Sequence, residues 1–313
     1  MPALAVALLT SCTSEEVVNS QPSGNPLELK AEMYCGYATR STSASTNVWT
    51  QGDIVAVADA GTPCQYKITD ATSGTLSAVS TQIYWGTNQT SKELTAWSYG
   101  GGAYNAALPT SWGVSTDQST ADNLQANDFL FASATATPDA TTSLAFAHKL
   151  AKILIKMTSS NSSLTSSNTR LSNVVVKAAN VSTFDGSSWS TPTGDPVSIT
   201  SLQGTADGSL ATYTALVLPQ TMSGKELFRF SATVDGITST YAYTPATAVF
   251  VTGTQYIFNI NFALDNVSVT AVTATDWTTT DGGTITGNVT QVQEILGTWS
   301  QDDDGAITVG GDK

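Results

Sequence analysis

The sequence predicts an all-β fold, and three of its features support this prediction. Between residues 27 and 35, small or apolar residues alternate with mostly charged ones, as in a strand with one face on a core. Short runs rich in β-branched and aromatic residues recur along the chain, separated by turns rich in Gly, Asn and Ser. No segment carries a long run of apolar residues at helical spacing. The apolar face of the first strand comprises Leu27, Leu29, Ala31, Met33 and Cys35.

The predicted strands fall into two sets, divided by a polar, proline-containing stretch at 137–142. The first set covers 27–35, 53–60, 64–69, 76–79, 82–85, 93–99 and 128–132. The second covers 144–157, 171–177, 197–202, 211–218, 227–234, 240–243, 256–264 and 267–275. Short strands with frequent turns are typical of sandwiches. We therefore predict two tandem β-sandwich domains of about seven strands each, at 27–138 and 139–282.

Within the run at 144–157 the apolar residues change face. Phe146, His148 and Leu150 share one parity, whereas Ile153 and Ile155 share the other. A β-bulge near Leu150 would reconcile both halves in one strand. Because His148 is the single histidine and lies on an apolar face, we expect a satisfied core or interface histidine rather than a metal ligand or a base.

Composition argues against several classes of function. A net charge of −13 is unfavourable for nucleic-acid binding, which requires clustered Lys and Arg, so no nucleic-acid partner is expected. The chain has no Ser-His-Asp set and no metal-ligand spacing, so we predict no catalytic residue, metal or cofactor, and no enzyme. Asp302, Asp303 and Asp304 are consecutive and lack the distal Glu of a calcium loop, which indicates a solvated acidic tail.

Residues 1–26 have the features of a targeting segment followed by a tether. A short apolar run ends in Leu9-Thr10-Ser11-Cys12, which resembles a bacterial lipobox, so Cys12 is the predicted lipidation site. The run is short and lacks a preceding basic residue, and the alternative is a solvated N-terminus in which this cysteine has no role. No later segment has the ~20 apolar residues that span a bilayer, so we predict a protein that is anchored to a membrane rather than one that spans it.

Two further features leave alternatives open. Because Cys35 continues the apolar row of the first strand, Cys35 and Cys64 are predicted to be buried free thiols, and a disulfide between them is the alternative. Several aromatic residues could stack on sugars, although aromatic residues in sandwiches are more often core or rim residues. These aromatic residues are Trp97, Tyr99, Tyr104 and Trp112.

Motifs spread along almost the whole chain resemble one known family. They are Thr39-Arg40, VWTQGDIVAV at 48–57, AWSY at 96–99, NDFLFA at 127–132, LAFAHKLAKI at 144–153, VLPQ at 217–220, GTQY at 253–256 and TDW at 275–277. In this order and spacing they resemble the fimbrillin family, whose members are subunits of the protease-assembled pili of Gram-negative anaerobes. The resemblance implies transthyretin-like β-sandwich domains, export as an outer-membrane lipoprotein and a role in cell adhesion.

The resemblance also implies a mode of assembly by donor-strand exchange. An Arg-specific protease would cut after Arg40, the strand at 27–35 would be lost, and the C-terminal segment of another pilus subunit would fill the groove. Here the chain continues beyond the last motif, and 283–313 is a candidate donor segment, a connection to another subunit or an unstructured tail. The candidate donor residues are Ile285, Val289, Ile295 and Trp299.

Two alternatives remain beside this prediction. In the first, Arg40 is an ordinary surface arginine that stays uncut, as in a tip or anchor subunit. In the second, the protein is a monomeric cell-surface lipoprotein with the same fold that binds a host protein or a glycan.

Overall fold

The computed structural model describes residues 24–33, 49–100, 102–204, 210–263, 266–276 and 297–301. These residues form strands and one short helix, α1 (Ala121–Ala126), which confirms the all-β class. The strands are β1 (Leu29–Met33), β2 (Ile54–Ala58), β3 (Cys64–Asp70), β4 (Thr75–Ala78), β5 (Lys92–Tyr99), β6 (Ser111–Gly113), β7 (Phe129–Ala136), β8 (Thr142–His148), β9 (Ala151–Thr158), β10 (Thr169–Ala178), β11 (Val181–Thr183), β12 (Val197–Thr200), β13 (Leu202–Gly204), β14 (Ala211–Val217), β15 (Gln220–Met222), β16 (Phe228–Val234), β17 (Ile237–Pro245), β18 (Ala248–Phe250), β19 (Thr254–Ala263), β20 (Asn266–Asp276) and β21 (Gly297–Gln301). Within the described ranges, no helix is long and apolar enough to cross a membrane.

The first part of the chain forms a closed sheet with the strand order β1-β4-β3-β2-β5-β7-β8. Neighbouring strands are antiparallel, except that β1 closes the sheet by running parallel to β8. Because side chains alternate along a strand, every second residue points into the enclosed core. Trp49, Tyr66 and Phe146 are the largest side chains there, and Trp49 stands edge-on to Phe146 with ring centroids 5.1 Å apart.

The second part forms a sandwich of two five-stranded sheets, β12-β10-β16-β17-β21 and β13-β14-β9-β19-β20. Aromatic rings from the two sheets meet between them: Phe228 and Phe258 lie 4.7 Å apart edge-on, and Tyr241 and Phe262 lie 5.5 Å apart. The sandwich has more strands than the second predicted set. The run at 197–202 is divided between the two sheets at Ser201, and β21 comes from the tail.

The predicted bulged strand at 144–157 is wrong, because the run is two strands in different sheets. β8 ends at His148 in the closed sheet, and the Lys149 amide still donates to the carbonyl of Phe129 there at 2.8 Å. The Leu150 carbonyl accepts from the Gly253 amide at 2.8 Å, and β9 then runs through the sandwich. A change of sheet reverses the buried parity just as a bulge does. The chain therefore leaves the closed sheet after Lys149, C-terminal to the boundary predicted at 138/139.

Four short elements differ from the sequence prediction. The helix α1 has no counterpart among the predicted elements. It is six residues long, and the Thr120 hydroxyl caps it by accepting from the Asn123 amide at 3.2 Å. The strand predicted at 82–85 forms only a single bridge, between Tyr84 and Pro26. The three-residue strands β6 and β11 pair with each other in a ribbon. Elements this short carry too little periodicity to be recognised.

The segment between β6 and α1, which belongs to the first part of the chain, forms hydrogen bonds with the sandwich. Gln118 is fully buried, and its side-chain oxygen accepts from the Leu216 amide at 2.7 Å while its side-chain nitrogen donates to the Leu216 carbonyl at 2.9 Å. The Gln118 amide also donates to the carbonyl of Thr200 at 3.0 Å. One glutamine side chain thus pairs with β14 as a strand backbone would.

Candidate functional site

The first strand, β1, lies between β4 and β8. Leu29 is opposite Leu76 in the antiparallel pair with β4, and β1 from Leu29 to Met33 matches 142–146 in the parallel pair with β8. The amide of Thr142 donates to the carbonyl of Glu28 at 2.9 Å, which starts the parallel pairing. Because both neighbours bond to β1, removal of β1 would leave two unpaired strand edges.

One face of this segment is buried. Leu27, Leu29 and Met33 are 2%, 3% and 6% exposed, and Ala31 is fully buried. These side chains belong to the core that the closed sheet encloses. On the opposite face Lys30 and Glu32 form an ion pair of 2.6 Å, with both side chains more than a third exposed. Cys35, the last residue of the predicted row, lies outside the described residues.

The chain before β1 is also held against the closed sheet. The Leu27 amide donates to the carbonyl of Ile83 at 2.9 Å, and the Trp85 amide donates to the carbonyl of Asn25 at 3.0 Å. A Cβ on Gly24 would collide with the carbonyl oxygen of Trp85, so the two backbones meet where only glycine fits. Residues 24–33 therefore form one continuous, docked segment.

A second glycine lies against β1 itself. Gly74, in the turn between β3 and β4, has a φ of +72°, and its carbonyl accepts from the Ala31 amide at 2.8 Å. A Cβ on this residue would collide with the Ala31 carbonyl oxygen. Local sequence pattern does not place Gly74, Gly24 or Ile83 in the site, because neither a glycine nor a short apolar stretch indicates which distant strand it will contact.

The surface of the closed sheet that contacts residues 24–33 is strongly apolar. Burial of a large apolar side chain contributes roughly 1.5–3 kcal/mol, and Leu27, Leu29 and Met33 each fill such a position. If residues 24–33 left, the closed sheet would present three apolar pockets between the edges of β4 and β8. Such a groove fits an extended segment with alternating apolar residues.

The other predicted site residues lie mostly outside the described part of the chain. Cys12 and Arg40 fall in 1–23 and 34–48, and the candidate donor residues Ile285, Val289 and Ile295 fall in 277–296. Trp299 lies in β21, where its backbone pairs with Tyr243 of β17. β21 thus adds to the edge of a sandwich sheet of its own chain.

His148 and Cys64 occupy buried positions. The Nδ1 atom of His148 lies 2.9 Å from an Asp128 carboxylate oxygen, and the two side chains are 3% and 2% exposed, so His148 is a satisfied core histidine as predicted. Cys64 is a buried free thiol, and its pKa is raised first by burial and then by the nearby Asp59 carboxylate. Among the described residues, no group of three or more His, Cys, Asp or Glu side chains could hold a metal ion.

The aromatic residues considered for sugar stacking are packed into the structure. Trp97 and Trp112 are buried, and the Trp97 indole donates to the carbonyl of Asn105 at 2.9 Å. The hydroxyls of Tyr99 and Tyr104 donate to backbone carbonyls at 2.8 Å and 2.9 Å. These four residues have core and rim roles, and the buried indoles offer no open stacking surface.

Comparison with known proteins identifies one family by sequence and several solved structures with a similar fold. The fimbrillin-like family model matches residues 39–277. The structure is similar to a candidate cell adhesion protein from Bacteroides ovatus, with a TM-score of 0.63, 20% identity, and 82% and 98% of the two chains covered. It is also similar to a candidate cell adhesion protein from Bacteroides uniformis, with a TM-score of 0.57, 20% identity and coverage of 82% and 100%.

A weaker likeness links the chain to a tip fimbrial protein. The C-terminally truncated Mfa3 of Porphyromonas gingivalis matches with a TM-score of 0.45, 11% identity and coverage of 81% and 100%. No curated protein matches the sequence. At these identities the structural likenesses show the fold alone, whereas the family match extends over most of the chain. The protein belongs to the fimbrillin-like family.

Proposed function

We propose that this protein is a subunit of a cell-surface fimbria, assembled by donor-strand exchange after an Arg-specific cut at Arg40, and that it serves cell adhesion. The observation that carries the proposal is the docked first segment, whose buried row Leu27, Leu29, Ala31 and Met33 lies between two strands that could accept a replacement. Membership of the fimbrillin-like family supports it, as does the structural similarity to candidate cell adhesion proteins.

Cleavage after Arg40 would make the first strand removable. Residues up to 40 would then be held only by non-covalent contacts. Among the described residues, these include the pairing of β1 with β4 and β8 and the bonds of Leu27 and Asn25 to the strand-like stretch 82–85. The proposed lipid anchor, Cys12, lies on the same segment, N-terminal to the cut, that would dissociate. One cut would therefore open the groove and also release the subunit from its own anchor in the outer membrane.

The tail supplies the proposed replacement strand. Ile285 and Val289 share one parity, Ile295 and Trp299 continue it, and such a row matches the period of the vacated pockets. In the single chain β21 pairs with β17, so a tail that donates as far as Trp299 must first give up this pairing. The partners are then other copies of this chain or other pilus subunits, together with the protease.

Substitution of the cleavage residue tests the proposal. Arg40→Ala and Arg40→Lys, expressed with native export, should both leave full-length protein on the cell and no fibres. Arg40→Lys retains the positive charge, so its failure to assemble would identify cleavage rather than charge as the requirement. Lys67→Ala, an exposed change on β3, should assemble as the wild type does.

Electron microscopy of cells labelled against the protein provides the measurement. Fibres from the wild type and diffuse label from both Arg40 variants are the expected result. Fibres from either Arg40 variant would show that the proposed exchange is wrong for this subunit. Diffuse label from the uncut wild type would identify instead a monomeric surface protein that binds a host protein or a glycan.

A further inference from the structure

The inward positions of the first segment differ in size. Leu27, Leu29 and Met33 are large and almost fully buried, whereas Ala31, between the last two, is small and fully buried. A strand that replaces β1 in the groove between β4 and β8 must therefore present large, large, small and large residues at every second position.

The position of Ala31 does not accept a large side chain. In the parallel pairing with β8, Ala31 lies opposite Leu144, which is fully buried as well. On the other side the Ala31 amide donates to the carbonyl of Gly74, and the two backbones meet so closely that no Cβ fits at residue 74. Because the strand is held there and the core is densely packed, a larger residue would displace core side chains.

One stretch of the tail matches this pattern of sizes. Residues 283–289 have the sequence GTITGNV. When this stretch is aligned with residues 27–33 in the same direction, a large, a small and a large residue take positions 29, 31 and 33. These residues are Ile285, Gly287 and Val289, and the residues between them are polar, as the outward face of the strand requires.

A second stretch of the tail, 293–299, fits less well. With Gly297 at position 31, it would bury the polar Gln293 at position 27 and turn the apolar Leu296 outward. Its last residues also belong to β21, which pairs with β17. Donation of 283–289 leaves that pairing in place.

The hydrogen bonds of β1 favour a strand that runs in the same direction. The Ala31 amide donates to the Gly74 carbonyl next to β4. The Glu28 carbonyl accepts from the Thr142 amide, where β8 begins. Since the amide and the carbonyl of one strand residue point to the same side, a reversed strand with the same inward residues would turn each group to the opposite neighbour. Only the direction of β1 retains the bonds that β4 and β8 already make.

This direction favours a second copy of the chain as the donor. β1 runs parallel to β8, so the Met33 end of the groove lies towards the sandwich. The last residue of β20, Asp276, pairs with Thr254 of β19. The preceding Gly253 donates its amide to the carbonyl of Leu150, just after β8, at 2.8 Å. The tail of the same molecule would therefore enter at the Met33 end and run against the direction of β1, whereas a second copy can enter at the other end.

We propose that residues 283–289 of a second copy occupy the groove in the direction of β1, with Gly287 at the position of Ala31. This pairing rests on the proposed strand exchange, for which it specifies the donor and the register. Gly283 leaves the space of Leu27 unfilled, so the tail binds more weakly than the first segment. The tail therefore enters after the first segment has been cut and has left the groove, because an uncut segment stays tethered beside it.

Substitutions in the tail of the full-length chain, expressed with native export, test the pattern of sizes. Gly287→Leu should abolish fibres in electron microscopy, because a large residue would meet the small position of Ala31. Gly283→Leu is the matched control, since it makes the same change where the space of Leu27 is unfilled. Its fibres should dissociate at a higher urea concentration than wild-type fibres.

Crosslinking in the fibres tests the register and the direction. Leu76 lies opposite Leu29, so dibromobimane, which bridges neighbouring thiols, should join Leu76→Cys of one subunit to Ile285→Cys of the next. A denaturing gel should then show a ladder of covalent multimers. Val289→Cys would give this ladder instead if the strand were reversed, and Ile295→Cys would give it if the second stretch donated.

Two controls accompany the crosslinking. Cys35→Ser and Cys64→Ser remove the other thiols from residues 27–313. In the uncut chain, Leu29→Cys with Leu76→Cys should be bridged within one molecule, which shows that the two positions react.

The outcomes separate this assignment from strand exchange itself. Fibres from Gly287→Leu, or wild-type-like fibres without a ladder from the Ile285→Cys pair, would overturn the assignment alone. A bridged product of the Ile285→Cys pair that stays monomeric would identify the donor as the tail of the same molecule and would also overturn it. Absence of fibres from the wild type would overturn the proposed function, and the assignment with it.

Discussion

The amide of Ala31 in β1 donates to the carbonyl of Gly74 at 2.8 Å, and a Cβ at residue 74 would collide with the Ala31 carbonyl oxygen. The turn between β3 and β4 therefore touches the first strand backbone to backbone. Gly74 satisfies two demands at once, a φ of +72° and the absence of a side chain. The geometry of this one turn limits how closely β1 can be seated in the closed sheet.

Gly74→Ala should loosen β1. We expect a loss of unfolding free energy above the roughly 1–2 kcal/mol of left-handed strain alone, because the new methyl group displaces the strand. Gly102→Ala is the matched control, since Gly102 has a φ of +76° with nothing within 4 Å of a built Cβ. Urea unfolding and hydrogen exchange at the Ala31 amide provide the measurements. Equal losses of unfolding free energy in both variants would show that the contact of Gly74 with β1 does not contribute to stability.

Removal of the first segment should create a peptide-binding groove. Protein cut after Arg40 and freed of residues 1–40 is expected to bind a synthetic peptide of residues 24–36, because the pockets of Leu27, Leu29 and Met33 are then open. The same peptide with Leu29→Asp should bind far more weakly, since a charge would enter an apolar pocket. Fluorescence anisotropy of the labelled peptides measures both affinities. Equal binding of the two peptides would contradict a pocket-directed groove.

The buried Gln118 should be important for holding the two parts together. Gln118→Met keeps the side-chain length but leaves the amide and carbonyl of Leu216 without their partners. We expect a loss of about 2–4 kcal/mol in unfolding free energy, since two buried backbone groups become unsatisfied. Gln65→Met, on β3, is the control because its side chain is only half-buried. If Gln118→Met loses no more unfolding free energy than the control, the contact of Gln118 with Leu216 does not hold the two parts together.

Alkaline pH should destabilise the fold through three buried tyrosines. Burial raises the pKa of Tyr66, Tyr213 and Tyr243 from 10.0 to about 12. Because the folded-state pKa lies above the unfolded value, stability is unaffected below pH 10 and falls as the pH rises towards 12. Each tyrosine contributes about 1.4 kcal/mol per pH unit in this window. Urea unfolding against pH should therefore show a smaller slope for Tyr213→Phe, and a flat profile up to pH 12 would contradict it.

The hydroxyl of Tyr213 also predicts an effect at neutral pH. Tyr213→Phe should leave the unfolding free energy unchanged or slightly higher, since the hydroxyl has no partner among the described residues. Tyr256→Phe should lower it by about 1 kcal/mol, because the Tyr256 hydroxyl accepts from the Val251 amide at 3.0 Å. Thermal or urea unfolding distinguishes the two. A clear destabilisation by Tyr213→Phe would indicate that its hydroxyl is satisfied in the folded protein.

Local periodicity in the sequence determined which stretches become strands and which of their faces are apolar. The alternation from Leu27 to Met33 predicts a one-sided strand, and β1 has this form because side-chain direction along a strand is a local property. The same holds for Phe228 and Phe230 of β16, which point into the sandwich. The motifs along the chain also indicated the family, because their order and spacing are visible in the sequence without the fold.

The tertiary structure alone decided which sheet each strand enters and which distant residues meet. The runs at 144–157 and 197–202 look continuous, yet the first divides between the closed sheet and the sandwich near Leu150, and the second divides between the two sheets of the sandwich at Ser201. Both a bulge and a change of sheet reverse parity, so local pattern cannot separate them. The contacts of Gln118 with Leu216 and of Ala31 with Gly74 likewise depend on long-range packing, because each joins segments far apart in the chain that only the complete fold brings together.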